Sequence, residues 1–82
     1  MQRLRVVPAE SEEDTFNREF RSRTVQAREA AGLTQEQMAI ALGIKKDAYK
    51  KYEYRSPLPQ YLIVRFALIT SKSLAWLLTG RG

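Results

Sequence analysis

Residues 34–54 read "TQEQMAIALGIKKDAYKKYEY". Thr34 is followed three residues later by Gln37, the spacing of a capping box, in which each side chain satisfies a backbone N–H at a helix start. Met38, Ala41 and Leu42 give the following helix an apolar side, and Gly43 closes it after about two and a half turns at roughly 3.6 residues each. A further helix is expected from about Lys45 to Tyr54. At about 100° per residue, Ala48, Tyr49 and Tyr52 fall on one side of it. Lys46, Asp47, Lys50, Lys51 and Tyr54 fall on the other. Only Gly43, Ile44 and Lys45 join the two helices. So short a glycine-containing joint sets them at a steep angle, the helix-turn-helix arrangement, with Ile44 plugging the turn into the core.

Working outward, "TFNREFRSRTVQAREAAG" places Phe16, Phe20, Thr24, Ala27 and Ala31 at three- and four-residue intervals. This predicts a helix from Thr15 that Gly32 terminates. After the proline-bounded link "SPLP", "QYLIVRFALIT" reads as a fourth helix, apolar on most sides and therefore central. "SKSLAWLLTG" closes the chain, with Ser73 as N-cap and Gly80 as stop. Five short helices without an interior strand make an all-α fold of residues 15–82. Residues 1–14 read as a flexible acidic arm, because Pro8 interrupts any helix and "AESEED" has no apolar stripe to bury. "RLRVV" within that arm is compatible with a short strand.

Composition narrows the chemistry. The 82 residues include no cysteine and no histidine, which removes the usual zinc ligands and the commonest general base. The nine carboxylates are scattered, so neither metal nor cofactor is expected, and the chain is not read as an enzyme. Residues 15–82 carry 12 basic and 5 acidic side chains, a net +7, which favours an anionic partner. The apolar runs Tyr61–Val64 and Phe66–Ile69 fall far short of the roughly 20 residues that cross a bilayer. No leader pattern opens the chain, so a soluble cytoplasmic protein is expected, with no membrane or small-molecule partner evident.

Specific residues carry a resemblance. Arg28, the string "GLTQEQMA" from Gly32 to Ala39, Gly43-Ile44, Tyr52-Glu53 and Trp76-Leu77-Leu78-Thr79-Gly80 occur in order along Phe20 to Gly80. Together they resemble the phage-repressor (Cro/C1, or XRE) family of helix-turn-helix regulators. The resemblance implies a compact five-helix bundle of the lambda-repressor-like DNA-binding type with an N-terminal arm. It also implies double-stranded DNA as partner, with the helix at 45–54 in the major groove. On this basis Lys46, Asp47 and Lys51 reach base edges, where lysine donates to guanine and aspartate accepts from cytosine N4. Lys45, Lys50 and Arg55 suit phosphates, Tyr54 shares their face, and Thr34 and Gln35 approach the backbone at a helix N-terminus. Arg28 and Glu53 match a pair that forms a structural ion pair between helices. A homodimer on a two-fold site is implied as well, with helix 5 around Leu74 and Leu77 as its analogous contact.

Each assignment has a plainer reading. Lysines on an exposed helix are ordinarily just solvated. Asp47 is equally a partner for the helix dipole, worth about 0.3–1 kcal/mol, at a helix start where Lys45 supplies no acceptor. Asp47 and Lys51 are also spaced for an i,i+4 pair worth about 0.2–0.5 kcal/mol. Tyr49, Tyr52, Phe66 and Trp76 have ordinary core spacing. Three positions depart from the family pattern. Arg55 stands near a common glycine, Tyr49 replaces a usual aliphatic residue, and "TSKS" replaces a glycine-containing joint. The reading is therefore a sequence-specific DNA-binding transcriptional regulator of repressor type. Its rival is a protein-interaction or antitoxin-like module with the same fold.

Overall fold

The computed structural model describes residues 11–82, which form five helices and, among the described residues, no strand. The first, α1, runs Glu12–Ala30. Ser11 caps it by accepting from the Asp14 N–H (3.1 Å), while the Asp14 carboxylate accepts from the Ser11 N–H (3.4 Å). Glu12, Glu13 and Asp14 then sit in the first turn, where negative charge complements the helix dipole. The helix thus begins three residues before the expected Thr15, and part of the supposed arm is its cap. The start is marked by polar residues alone, so an apolar-stripe criterion passes over it. Residues 1–10, including the "RLRVV" strand, lie outside the described residues.

Helices α2 (Gln35–Leu42) and α3 (Lys46–Tyr54) follow. The capping box at α2 is closed, with Gln37 N–H on the Thr34 hydroxyl (3.0 Å) and Thr34 N–H on the Gln37 amide oxygen (2.9 Å). Gly43 terminates α2 at φ 75°, a left-handed conformation that costs a residue with a Cβ. Ile44 packs partly buried against the core, as the tight joint requires. Helix α3 has Lys45 at its N-cap with no side-chain acceptor, and Asp47 supplies the only first-turn carboxylate. Arg55 ends it at φ −127° rather than in the left-handed region. The N–H groups of Arg55 and Ser56 instead share the Lys51 carbonyl at 2.8 and 2.9 Å.

Helices α4 (Gln60–Thr70) and α5 (Leu74–Thr79) complete the bundle. The core draws on every helix, through Phe20, Met38, Tyr49, Phe66 and Leu77, each at most 2% exposed. Burying a side chain of this size contributes about 1.5–3 kcal/mol, an upper estimate because the unfolded chain is itself partly compact. Two threonines are buried with them. Thr24 and Thr70 donate to the carbonyls of Phe20 and Phe66, both at 2.9 Å, so neither hydroxyl is stranded.

Two expectations need correction. Helix α4 is not enclosed on most sides: Leu62, Phe66 and Ala67 face inward, while Tyr61 and Leu68 are each 76% exposed and Val64 is 57% exposed. Apolar composition does not distinguish a packed face from a free one. Leu77, expected at a dimer contact, is fully buried, whereas Leu74 and Leu78 remain exposed. Helix α5 is also tied back to α1 from a distance. Arg23 donates from Nε to the Leu77 carbonyl (2.7 Å) and from Nη2 to the Leu78 carbonyl (3.0 Å). A cation on the last carbonyls of a helix satisfies their lone pairs and opposes the negative end of the dipole.

Candidate nucleic-acid interface

The amphipathic pattern of α3 orients it. Tyr49 is fully buried, and Ala48 and Tyr52 are half-buried beside it. Lys46, Asp47, Lys50, Lys51 and Tyr54 are exposed, and Lys45 and Arg55 are exposed at the two ends. The cationic side of α3 is therefore turned to solvent. No ion pair joins Asp47 to Lys51 among the described residues. The carboxylate sits in the first turn with the dipole as its structural partner.

What holds α3 in this orientation is Glu53, whose side chain is only 6% exposed. Arg28 of α1 approaches it with Nε 2.6 Å from Oε2 and Nη2 3.3 Å from Oε1. Its Nη1 also reaches the Leu33 carbonyl at 2.8 Å. Gln35, the first residue of α2, donates from Nε2 to Glu53 Oε1 at 3.0 Å. Tyr49, one turn earlier on α3, donates its phenol hydroxyl to Oε2. One carboxylate thus joins three helices. Burial alone would raise the Glu53 pKa, but hydrogen bonds from Arg28, Tyr49 and Gln35 outweigh it and hold the group below its ordinary value. Burial, reinforced by the hydrogen bond to Glu53, pushes the Tyr49 phenol well above the usual tyrosine range. The Glu53 hydrogen bond raises Arg28, against the opposing effect of its desolvation.

Thr34 and Gln35 occupy the start of α2 beside this cluster. Thr34 is exposed but occupied in its capping box. Gln35 is half-buried, and the resemblance alone does not disclose that its amide nitrogen is turned to Glu53. The Tyr49–Glu53 bond also escapes the sequence reading, although an i,i+4 spacing is a signal that could have found it. The Arg23 tie joins residues 54 apart and has no local signature.

No group of three or more potential metal-binding side chains and no pocket occurs among the described residues. No described helix is long and apolar enough to cross a membrane. The outward side of α3 is thus an exposed, mainly cationic surface. The family model HTH_3, described as helix-turn-helix, matches residues 26–77, from the last part of α1 into α5. No curated protein and no solved structure matches the chain.

Proposed function

The chain belongs to the helix-turn-helix family HTH_3, and from that membership we propose that it is a sequence-specific transcriptional regulator that binds double-stranded DNA. The observation that carries the reading is the split of α3 into a buried tyrosine side and a solvent-facing lysine side. In the major groove, Lys46 and Lys51 would donate to guanine O6 and N7, and Asp47 would accept from cytosine N4. Lys45, Lys50 and Arg55 would neutralise phosphates, with Tyr54 at the edge of the contact and the first turns of α2 offering backbone N–H groups. The proposal is of a non-enzymatic cytoplasmic protein. It assigns the DNA-binding domain to the residues from Ser11 onward, with the acidic cap of α1 part of the domain.

Selection of bound duplexes from a random pool tests this directly. A consensus with half-sites about 34–36 Å apart is expected for a dimer reading a two-fold site. Affinity should fall with salt at a log–log slope of roughly −0.9 per phosphate neutralised. Lys46→Ala should relax base preference, whereas Lys50→Ala should weaken all duplexes alike. If both variants bind every duplex as the parent does, the recognition face is misassigned.

The exposed stripe of Tyr61, Val64 and Leu68 supports homodimerisation, which this proposal assigns to α4. Tyr61 and Leu68, each 76% exposed, lie about two turns apart on one face with Val64 between them, a continuous apolar stripe. Three side chains fall well short of the roughly 800 Å² that each partner gives a standard interface. Such a pair would be weak in solution and completed on DNA. The same stripe favours the second reading, a protein-interaction module that binds no duplex. Retention of the stripe's partner with no DNA consensus would decide for that reading.

A further inference from the structure

The Arg28–Glu53 pairing is lopsided. An unconstrained guanidinium and carboxylate settle into two parallel hydrogen bonds of similar length. Here one is 2.6 Å and the other 3.3 Å. Each oxygen carries one further donor, Tyr49 on Oε2 beside Arg28 Nε and Gln35 on Oε1 beside Arg28 Nη2, and the shorter Arg28 contact falls on the oxygen that also takes the phenol. Tyr49 itself is anchored, since its side chain is fully buried among core residues and cannot shift without opening a cavity. Its hydroxyl is therefore the fixed point of the cluster, and Gln35 is the adjustable one.

We propose that Tyr49 is a positioning residue for the DNA-reading face, acting through Glu53 on the setting of α3 and on the amide of Gln35. This rests on the DNA-binding function proposed above. Without the phenol, Glu53 is free to swing into symmetric pairing with Arg28, which withdraws Oε1 from Gln35 and unties α2 from α3. Lys50 lies three residues before Glu53 and Lys46 seven, so a change in the setting of Glu53 is felt along the outward face. Because Tyr49 has no exposed surface, it cannot touch DNA. Any effect of its hydroxyl on duplex discrimination must pass through its neighbours.

Tyr49→Phe keeps the ring and removes only the donor. The experiment measures dissociation constants for the duplex selected by the parent protein and for a random duplex, across a salt series, below the melting temperature of each variant. Tyr49→Phe should bind the selected duplex about three- to ten-fold more weakly, the range expected for the net effect of one ordinary hydrogen bond passed on through a neighbour. Random duplex should change by less than about two-fold, with an unaltered salt slope, because no phosphate contact is lost. In a Gln35→Ala background the loss should shrink by at least half, since the two residues act through one carboxylate. Equal losses on both duplexes, or none, would assign Tyr49 to the scaffold alone and overturn the proposal.

Amide hydrogen exchange in the free protein gives a readout independent of DNA. Tyr49→Phe should speed exchange at the start of α2 and across Lys46–Tyr54 while α4 and α5 keep their rates. Uniform acceleration would overturn the positioning role. A parent protein that prefers no duplex would sink the DNA-binding function itself, and with it this role of Tyr49, while local exchange would still report the clamp. Should Tyr49→Phe not fold, Glu53→Gln takes its place under the same outcomes, measured below its own melting temperature, since it keeps the side-chain shape and weakens the bonds from Tyr49, Gln35 and Arg28 together.

Discussion

Replacing Glu53 by alanine should come close to unfolding the protein. The carboxylate is 6% exposed and its main partner Arg28 is 13% exposed, so removing the acid leaves a guanidinium largely withdrawn from water. Arg28 would retain only the Leu33 carbonyl and a marginal 4.0 Å approach to the exposed Glu29. The buried Tyr49 hydroxyl and the Gln35 amide would lose their acceptor as well. Breaking a buried pair from one side typically costs about 3–5 kcal/mol. A chain of 82 residues has a total stability of roughly 4–12 kcal/mol at about 0.05–0.15 kcal/mol per residue. The loss is thus about a quarter of the total or more, and the melting temperature should drop by at least about 12 °C. Urea titration with calorimetry measures it. Removing both charges should be far gentler, so Arg28→Met combined with Glu53→Leu should recover most of the loss. A Glu53→Ala protein within about 1 kcal/mol of the parent would show that the cluster is solvated in solution, and the reasoning would fail.

The same carboxylate sets an acid limit. Its folded pKa lies below the unfolded value, so its contribution is complete above about pH 4.3 and is lost as pH falls through the folded value. Acid unfolding followed by circular dichroism should therefore show a limb below about pH 4 that Glu53→Gln lacks. Ser71 occupies the left-handed region at φ 59° without being glycine. Ser71→Gly relieves about 1–2 kcal/mol of local strain against about 0.4–1 kcal/mol of added unfolded-state entropy, so thermal melts should show a net gain of about 0.5–1 kcal/mol. Leu68→Glu, at a position 76% exposed, should leave the fold intact and abolish self-association in sedimentation equilibrium. Unchanged association would remove α4 from the interface.

The elements whose signals are local were legible in the sequence. Thr34 with Gln37, Gly43, Ser73 and Gly80 each mark a helix end within three or four residues, and each end stands where the pattern predicts it. The start of α1 escaped because Ser11 and Asp14 mark it through hydrogen bonds alone. On α4, Leu62 and Leu68 are the same residue type, yet one is 5% and the other 76% exposed. Only the tertiary arrangement separates them. The outward lysines of α3 followed from periodicity. The cluster around Glu53 did not, because it depends on where three helices meet; the family resemblance implies its Arg28–Glu53 part but not the Gln35 and Tyr49 bonds.

The Arg23 tie has a consequence for how the molecule comes apart. A six-residue helix has almost no standing of its own in water, and α5 is held by the burial of Leu77 and by two bonds from a guanidinium 54 positions upstream. Closing so long a loop is slow, whereas the α2–α3 hairpin closes over a few residues. The tail should therefore be the last piece to dock and the first to peel away, a small cooperative unit whose opening leaves the paired central helices assembled.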